Sequence, residues 1–90
     1  MPFIEKTPQE VQVEEGHVYQ VRTGLSTRAG FNFEPGDLIV VIEKTSLTPY
    51  KEVGPHGYNW VCTTRFSTSV WATLENCIAC GLLKRIYPLW

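Results

Sequence analysis

Apolar residues along this chain alternate with polar ones far more often than they recur at helical spacing, and the alternation predicts strands. From His17 to Thr23, Tyr19 and Val21 share one face, with Val18, Gln20 and Arg22 on the other. Leu38 to Lys44 is β-branched almost throughout and is the strongest strand signal in the chain. Tyr58–Thr64 and Val70–Leu74 read as two further strands joined by the short polar stretch Arg65–Ser69. Leu82–Tyr87 reads as the last strand, stopped by Pro88. No segment keeps a helical apolar stripe over 11 residues or more, and Glu75–Gly81 suits a single 3₁₀ turn.

The segments between are punctuated by turn chemistry. Gly24–Gly30 is polar and bounded by glycines, so it reads as a loop. Phe31-Asn32-Phe33 places two aromatics on one face. In Glu34-Pro35-Gly36-Asp37, Pro35 presets φ and Gly36 supplies the positive φ that a type II turn requires. Ser46–Gly57 carries Pro49, Gly54, Pro55 and Gly57 and reads as a long loop.

These segments carry a resemblance. FEPGDLIVVIEK looks like the diverging turn and second strand of a Src-homology-3 domain, and YNWVCTT resembles its third strand. SVWATLENCIACGLLKRI resembles the fourth strand, the 3₁₀ turn and the fifth strand. The resemblance spans about residues 17–87. It implies an all-β fold: a five-stranded Src-homology-3-like barrel with one 3₁₀ turn before the last strand, preceded by an arm. Alternation within such a barrel turns Tyr19, Val21, Phe33, Ile39, Val41, Trp60, Cys62, Leu74 and Ile78 inward, with Cys62 deeper than Trp60. Members of that family grip proline-rich ligands with aromatics of the first loop, the third strand and the 3₁₀ turn. Here the first loop reads GLSTRAG, and Leu74 to Ile78 stand where a proline and a tyrosine are usual, so two of three groove walls are missing.

Composition and charge add three constraints. Ninety residues make one domain, and 43% hydrophobic with 19% charged residues is globular composition. The net charge is −1, but residues 1–16 hold Glu5, Glu10, Glu14 and Glu15 against Lys6. The chain therefore divides into an acidic arm, residues 1–16, and a faintly basic domain, residues 17–90. Near-neutrality argues against an unaided grip on a phosphate backbone. No apolar run approaches the roughly 18 residues of a membrane span, and no secretory signal is visible. Three cysteines suit reduced thiols in a cytoplasm better than a disulfide framework.

Candidate chemistry is sparse. Cys77-Ile78-Ala79-Cys80 is a CxxC without the βαβ context of a redox motif, and as a zinc site it supplies two ligands of four. The simpler reading is buried cysteines that behave as small hydrophobes, and no cofactor or metal is expected. His17 and His56 adjoin glycines and read as exposed loop residues, while Asp37 is explained by its turn. The glycines show no phosphate-cradling spacing. No catalytic set is expected.

What exceeds the needs of a plain barrel is Leu38, Val40 and Ile42, an apolar stripe on the second face of the strongest strand. Phe3, Ile4, Val11 and Val13 of the arm, a protein partner or a second copy of the chain are the candidate covers. The expectation is a non-catalytic protein-interaction module, of the kind common among phage and bacterial accessory proteins that bind a host protein. Its expected contact residues are Leu38, Val40, Ile42, Tyr50, Tyr58 and Trp71. The alternative is a KOW-type barrel associated with RNA, DNA or transcription. There Arg22, Arg28, Lys44, Lys51, Arg65, Lys84 and Arg85 would line one face, with Tyr58, Phe66 or Trp71 stacking on bases.

Overall fold

A computed structural model describes Thr7 and residues 11–48 and 51–88. Phe3, Ile4, Tyr50 and Trp90 lie outside the described residues.

The fold is mostly strand. In chain order the elements are β1 (Val18–Val21), β2 (Leu25–Ser26), β3 (Asn32–Phe33), β4 (Leu38–Thr45), β5 (Asn59–Thr63), β6 (Thr68–Trp71), α1 (Leu74–Ala79) and β7 (Leu83–Tyr87). Five of them form one antiparallel sheet in the order β6-β5-β4-β1-β7, and β2 pairs with β3 in a separate hairpin. The sheet does not close: β6 and β7 are its two edges. The stretches expected to share one sheet, on β4, β5 and β6, are consecutive neighbours in it, but the ladder stops short of a hydrogen-bonded barrel.

β4 is the centre of the sheet, as its β-branched run predicts. Val40 faces Val18 on one side and Thr63 on the other. A register shift between Val41 and Glu43 inserts a bulge at Ile42, and bulges bend the strand that carries them. The turn before β4 forms as the sequence demands. Gly36 has φ +98°, a conformation glycine adopts without steric cost. The Glu34 N–H donates to Asp37 Oδ2 at 2.8 Å, and Arg65 Nε donates to Asp37 Oδ1 at 2.8 Å. Those donors, the Glu34 N–H foremost, hold the Asp37 carboxyl below its ordinary value.

Alternation fixed most of the interior. Tyr19, Val21, Phe33, Ile39, Val41, Trp60, Cys62 and Leu74 are all in the buried cluster, and Ile78 packs against it half-buried. Burial pushes the Tyr19 hydroxyl and the Cys62 thiol each up to about 12.

Several expectations need correction. Glu75–Gly81 is not a 3₁₀ turn: the segment forms the six-residue α-helix α1, which buries Leu74, Glu75, Cys77 and Ala79. Six residues cannot hold a helix alone, and this one is held by the face it buries. The fourth strand ends at Trp71 rather than Leu74, because Ala72 and Thr73 turn the chain into α1. The presumed loop Gly24–Gly30 contains β2, whose Leu25 and Ser26 pair with Phe33 and Asn32. His17 is buried rather than exposed, with Nδ1 3.4 Å from the Tyr19 hydroxyl and Nε2 3.5 Å from the Glu14 carboxylate.

A cleft beside the sheet edge and a buried carboxyl behind it

The β2–β3 hairpin does not join the main sheet, so a space remains between it and edge strand β6. This cleft has a volume of about 620 Å³. The hairpin side contributes Leu25, Phe31 and Phe33, and the sheet side contributes the consecutive run Ser69–Thr73. Aromatic contacts fix the hairpin in place. Phe33 packs on Trp71 with ring centroids 5.6 Å apart, and both Phe31 and Phe33 lie 5.0 Å from Phe66 in the β5–β6 turn. Ser26, Thr27, Thr64, Ser69 and Thr73 add hydroxyls to the lining.

Among the described residues, the ionisable lining groups are Arg28, Glu52 and Cys77. Arg28 on the hairpin and Glu52 on the long loop form a salt bridge across the mouth. Both are partly exposed, so the pair is worth at most about 1 kcal/mol; its main effect is to cancel two charges. Burial pushes the Cys77 thiol above its ordinary value, against an opposing hydrogen bond from Thr73, so the thiol is protonated at neutral pH.

Behind one wall of the cleft, the long loop 46–58 is tied down by Asn59. Its side chain is buried; Oδ1 accepts the Gly54 N–H at 2.6 Å, and Nδ2 donates to the Leu47 and Glu52 carbonyls at 2.7 and 3.1 Å. Gly54 is required there because a Cβ would sit 2.5 Å from the Tyr58 carbonyl oxygen. The loop is pinned again by His56, whose Nε2 lies 2.8 Å from Glu75 Oε2. Glu75, in the first turn of α1, is only 2% exposed. Burial pushes its carboxyl above the ordinary 4.5, although His56 first, and the Trp60 N–H and Lys44 after it, pull the other way. The Trp60 indole N–H has no partner that meets hydrogen-bond geometry among the described residues. It acts on the Glu75 carboxyl as a nearby dipole rather than through a hydrogen bond.

Tyr58 links these groups. It stacks on His56 at 5.7 Å, meets Trp60 edge-on at 5.5 Å, and lies under Lys44 Nζ at 4.4 Å. At the β5–β6 turn, Arg65 covers Phe66 at 4.1 Å while bound to Asp37. Two cations named for nucleic-acid contact thus already lie on aromatic rings of the chain itself.

The structure separates the expected contact residues. Leu38 and Ile42 are exposed at 46% and 43%, and Val40 between them is half-buried. Val11 is buried and Val13 packs on the core. Tyr58 is half-buried in the His56–Glu75 cluster. Trp71 is an inward-facing residue, 8% exposed, that lines the cleft. Tyr50 lies outside the described residues. Among the described contact residues, Leu38 and Ile42 are exposed, whereas Tyr58 is half-buried and Trp71 is buried.

Sequence reasoning missed the Glu75–His56 pair and the role of the hairpin. The signal for the first was present: Glu75 is an acid set within the apolar stretch Val70–Cys80. The hairpin was signalled by Phe31 and Phe33, whose partner Phe66 is remote in sequence.

The CxxC also takes a definite place. Cys77 is the fourth residue of α1 and Cys80 is the C-cap, so the CxxC lies at the end of the helix rather than at its start. All three cysteines are free thiols; Cys62 and Cys77 are buried and Cys80 is exposed. Among the described residues, no three of His, Cys, Asp and Glu gather as a metal would require. No helix among the described residues is long and apolar enough to cross a membrane. No protein-family model, no curated protein and no solved structure matches this chain.

Proposed function

We propose that this chain is a non-catalytic protein-interaction module, built on a sheet of the Src-homology-3 kind, that seats an uncharged segment of a partner protein in the cleft between β2–β3 and β6. The observation that carries the reading is the cleft's chemistry. Aromatic and aliphatic side chains form its floor, hydroxyls line it, and Arg28 and Glu52, the charged groups among its described lining residues, neutralise each other. A polyanion gains little at such a rim, whereas an apolar segment gains from burial of about 25 cal/mol per Å² and leaves no charge unpaired. The order of β1, β4, β5, β6 and β7 in one sheet supports the resemblance in fold. The differing cleft wall supports a ligand unlike the proline helices that family grips.

The test is to pan the protein against a phage-displayed library of random 12-residue peptides and to synthesise the enriched sequences. Ser69 is exposed and lines the cleft, so Ser69→Tyr fills the space without touching the core. The expected result is enriched uncharged, apolar peptides whose affinity falls at least tenfold on Ser69→Tyr. Absence of enrichment, or binding that Ser69→Tyr leaves unchanged, overturns the proposal.

A further inference from the structure

Antiparallel ladders alternate between pairs whose backbone groups face each other and pairs whose groups face away. The phase of the β5–β6 ladder can be read from its turn. The Thr64 N–H donates to the Ser67 carbonyl at 3.0 Å, while the Ser67 N–H donates to Thr64 Oγ1 at 3.4 Å, so the backbone groups of Thr64 and Ser67 face each other across the ladder. The next pair, Thr63 and Thr68, is then of the other kind, in which side chains approach more closely. Their hydroxyls do meet, at 2.8 Å. Continuing along the register, Cys62–Ser69 and Trp60–Trp71 bond to each other, while Val61–Val70 does not. Thr68 and Val70 therefore aim their N–H and C=O groups away from β5. β6 is an edge, and among the described residues no strand lies on that side.

The two sheet edges are not alike. β7 carries Lys84 and Arg85, and its pairing with β1 is interrupted by a register shift, both devices that discourage further strands. β6 reads Thr-Ser-Val-Trp, with no charge, no proline and no bulge against β5. The unguarded edge is also the one that lines the cleft: Ser69, Val70 and Trp71 belong to both. Backbone donors and acceptors that no described strand pairs thus run beside an apolar floor.

Building on the interaction-module reading, we propose that the cleft takes its ligand by strand addition: an extended, uncharged peptide segment pairs with Thr68 and Val70 as a sixth strand. Alternate side chains of the segment turn toward Phe31, Phe33 and Trp71, and those between turn to solvent. The backbone pairing supplies affinity without regard to sequence. The aromatic floor selects apolar residues at every second position, and the neutralised Arg28–Glu52 mouth leaves a charged residue there without a partner.

The experiment uses the peptides enriched on the unaltered protein. Val70→Pro removes one outward N–H and no ladder bond, a change that edge strands tolerate. Strand addition predicts at least tenfold weaker peptide binding by Val70→Pro, alternating apolar residues in the enriched peptides, and slowed exchange of the Thr68 and Val70 amides when peptide is bound. Should Val70→Pro fail to fold, amide exchange in the unaltered protein decides. Peptides blocked by Ser69→Tyr that bind Val70→Pro normally and leave both amides unprotected would overturn strand addition while leaving the module reading intact. No enriched peptide at all would overturn both. Light scattering that shows a dimer split by Val70→Pro would place a second copy on this edge and overturn the peptide proposal.

Discussion

Replacing Asn59 with alanine removes the three hydrogen bonds that shape the long loop, and the cost can be worked out bond by bond. The Gly54 N–H is buried against Oδ1 at 2.6 Å and has no water to turn to once the side chain is gone. A stranded buried donor costs about 1–3 kcal/mol. The Leu47 and Glu52 carbonyls are only part-buried, so water recovers some of their loss. About 0.5 kcal/mol each is a fair allowance. The total is about 2–4 kcal/mol, a large share of the ~5–15 kcal/mol that holds a domain of this size. At about 4–8 °C per kcal/mol, the melting temperature falls by at least ~8 °C. The β5 backbone keeps its pairing with Thr45, so the sheet survives and the urea m-value stays constant while the midpoint drops. Asn59→Asp sharpens the argument. It keeps an oxygen for the Gly54 N–H but sets a carboxylate against two carbonyls, so it falls at least as far as alanine at neutral pH. The assays are urea denaturation and amide exchange at Gly54. A loss below 1 kcal/mol with the Gly54 amide as slow as before would refute the reasoning.

Three further outcomes follow from other parts of the structure. Because folding raises the Glu75 carboxyl above 4.5, the native state holds that proton more tightly than the unfolded chain, and the stability it confers is full below about 4.5 and lost as pH rises through the folded value. Glu75→Gln, compared with the unaltered protein by thermal melts from pH 4 to 8, is therefore least unfavourable at the upper end; a penalty that grows with pH would contradict the burial argument. Leu38→Glu, at a position 46% exposed, shifts stability by no more than about 0.5 kcal/mol in chemical denaturation, whereas unfolding would show that the stripe is structural cover. Thiol labelling of the native protein at pH 8 modifies Cys80 quickly and Cys62 only after denaturation, since burial holds the Cys62 thiol up to about 12; equal rates would argue that β5 opens readily.

Legibility in the sequence followed the range of the physics. The period-two pattern depends only on neighbours along the chain, so the inward faces of β1, β4 and β5 and the Pro35-Gly36 turn were readable residue by residue. α1 was not, because Leu74–Ala79 is too short for its own propensity to decide; burial of Leu74 and Cys77 against the sheet does that. The same limit applied to the site. Trp71 and Tyr58 stood out as aromatics, but alternation could not say that one lines a cleft while the other lies between a histidine and a tryptophan. Exposed Leu38 and Ile42 were legible as an outward stripe. His17 was misread because its burial comes from the chain folding back, with the Gly16 N–H bonded to the Val41 carbonyl.

By itself the sequence determined a mostly β chain, the strand faces, the turn before β4 and a near-neutral domain with an acidic start, since each is settled by residues close together in the chain. Only the tertiary structure decided that β6 is an edge, that the Phe31–Phe33 hairpin stands off from it across a cleft, and that buried Glu75 meets His56 of the long loop. Those three facts depend on which distant segments come to lie side by side, and no local pattern carries that information.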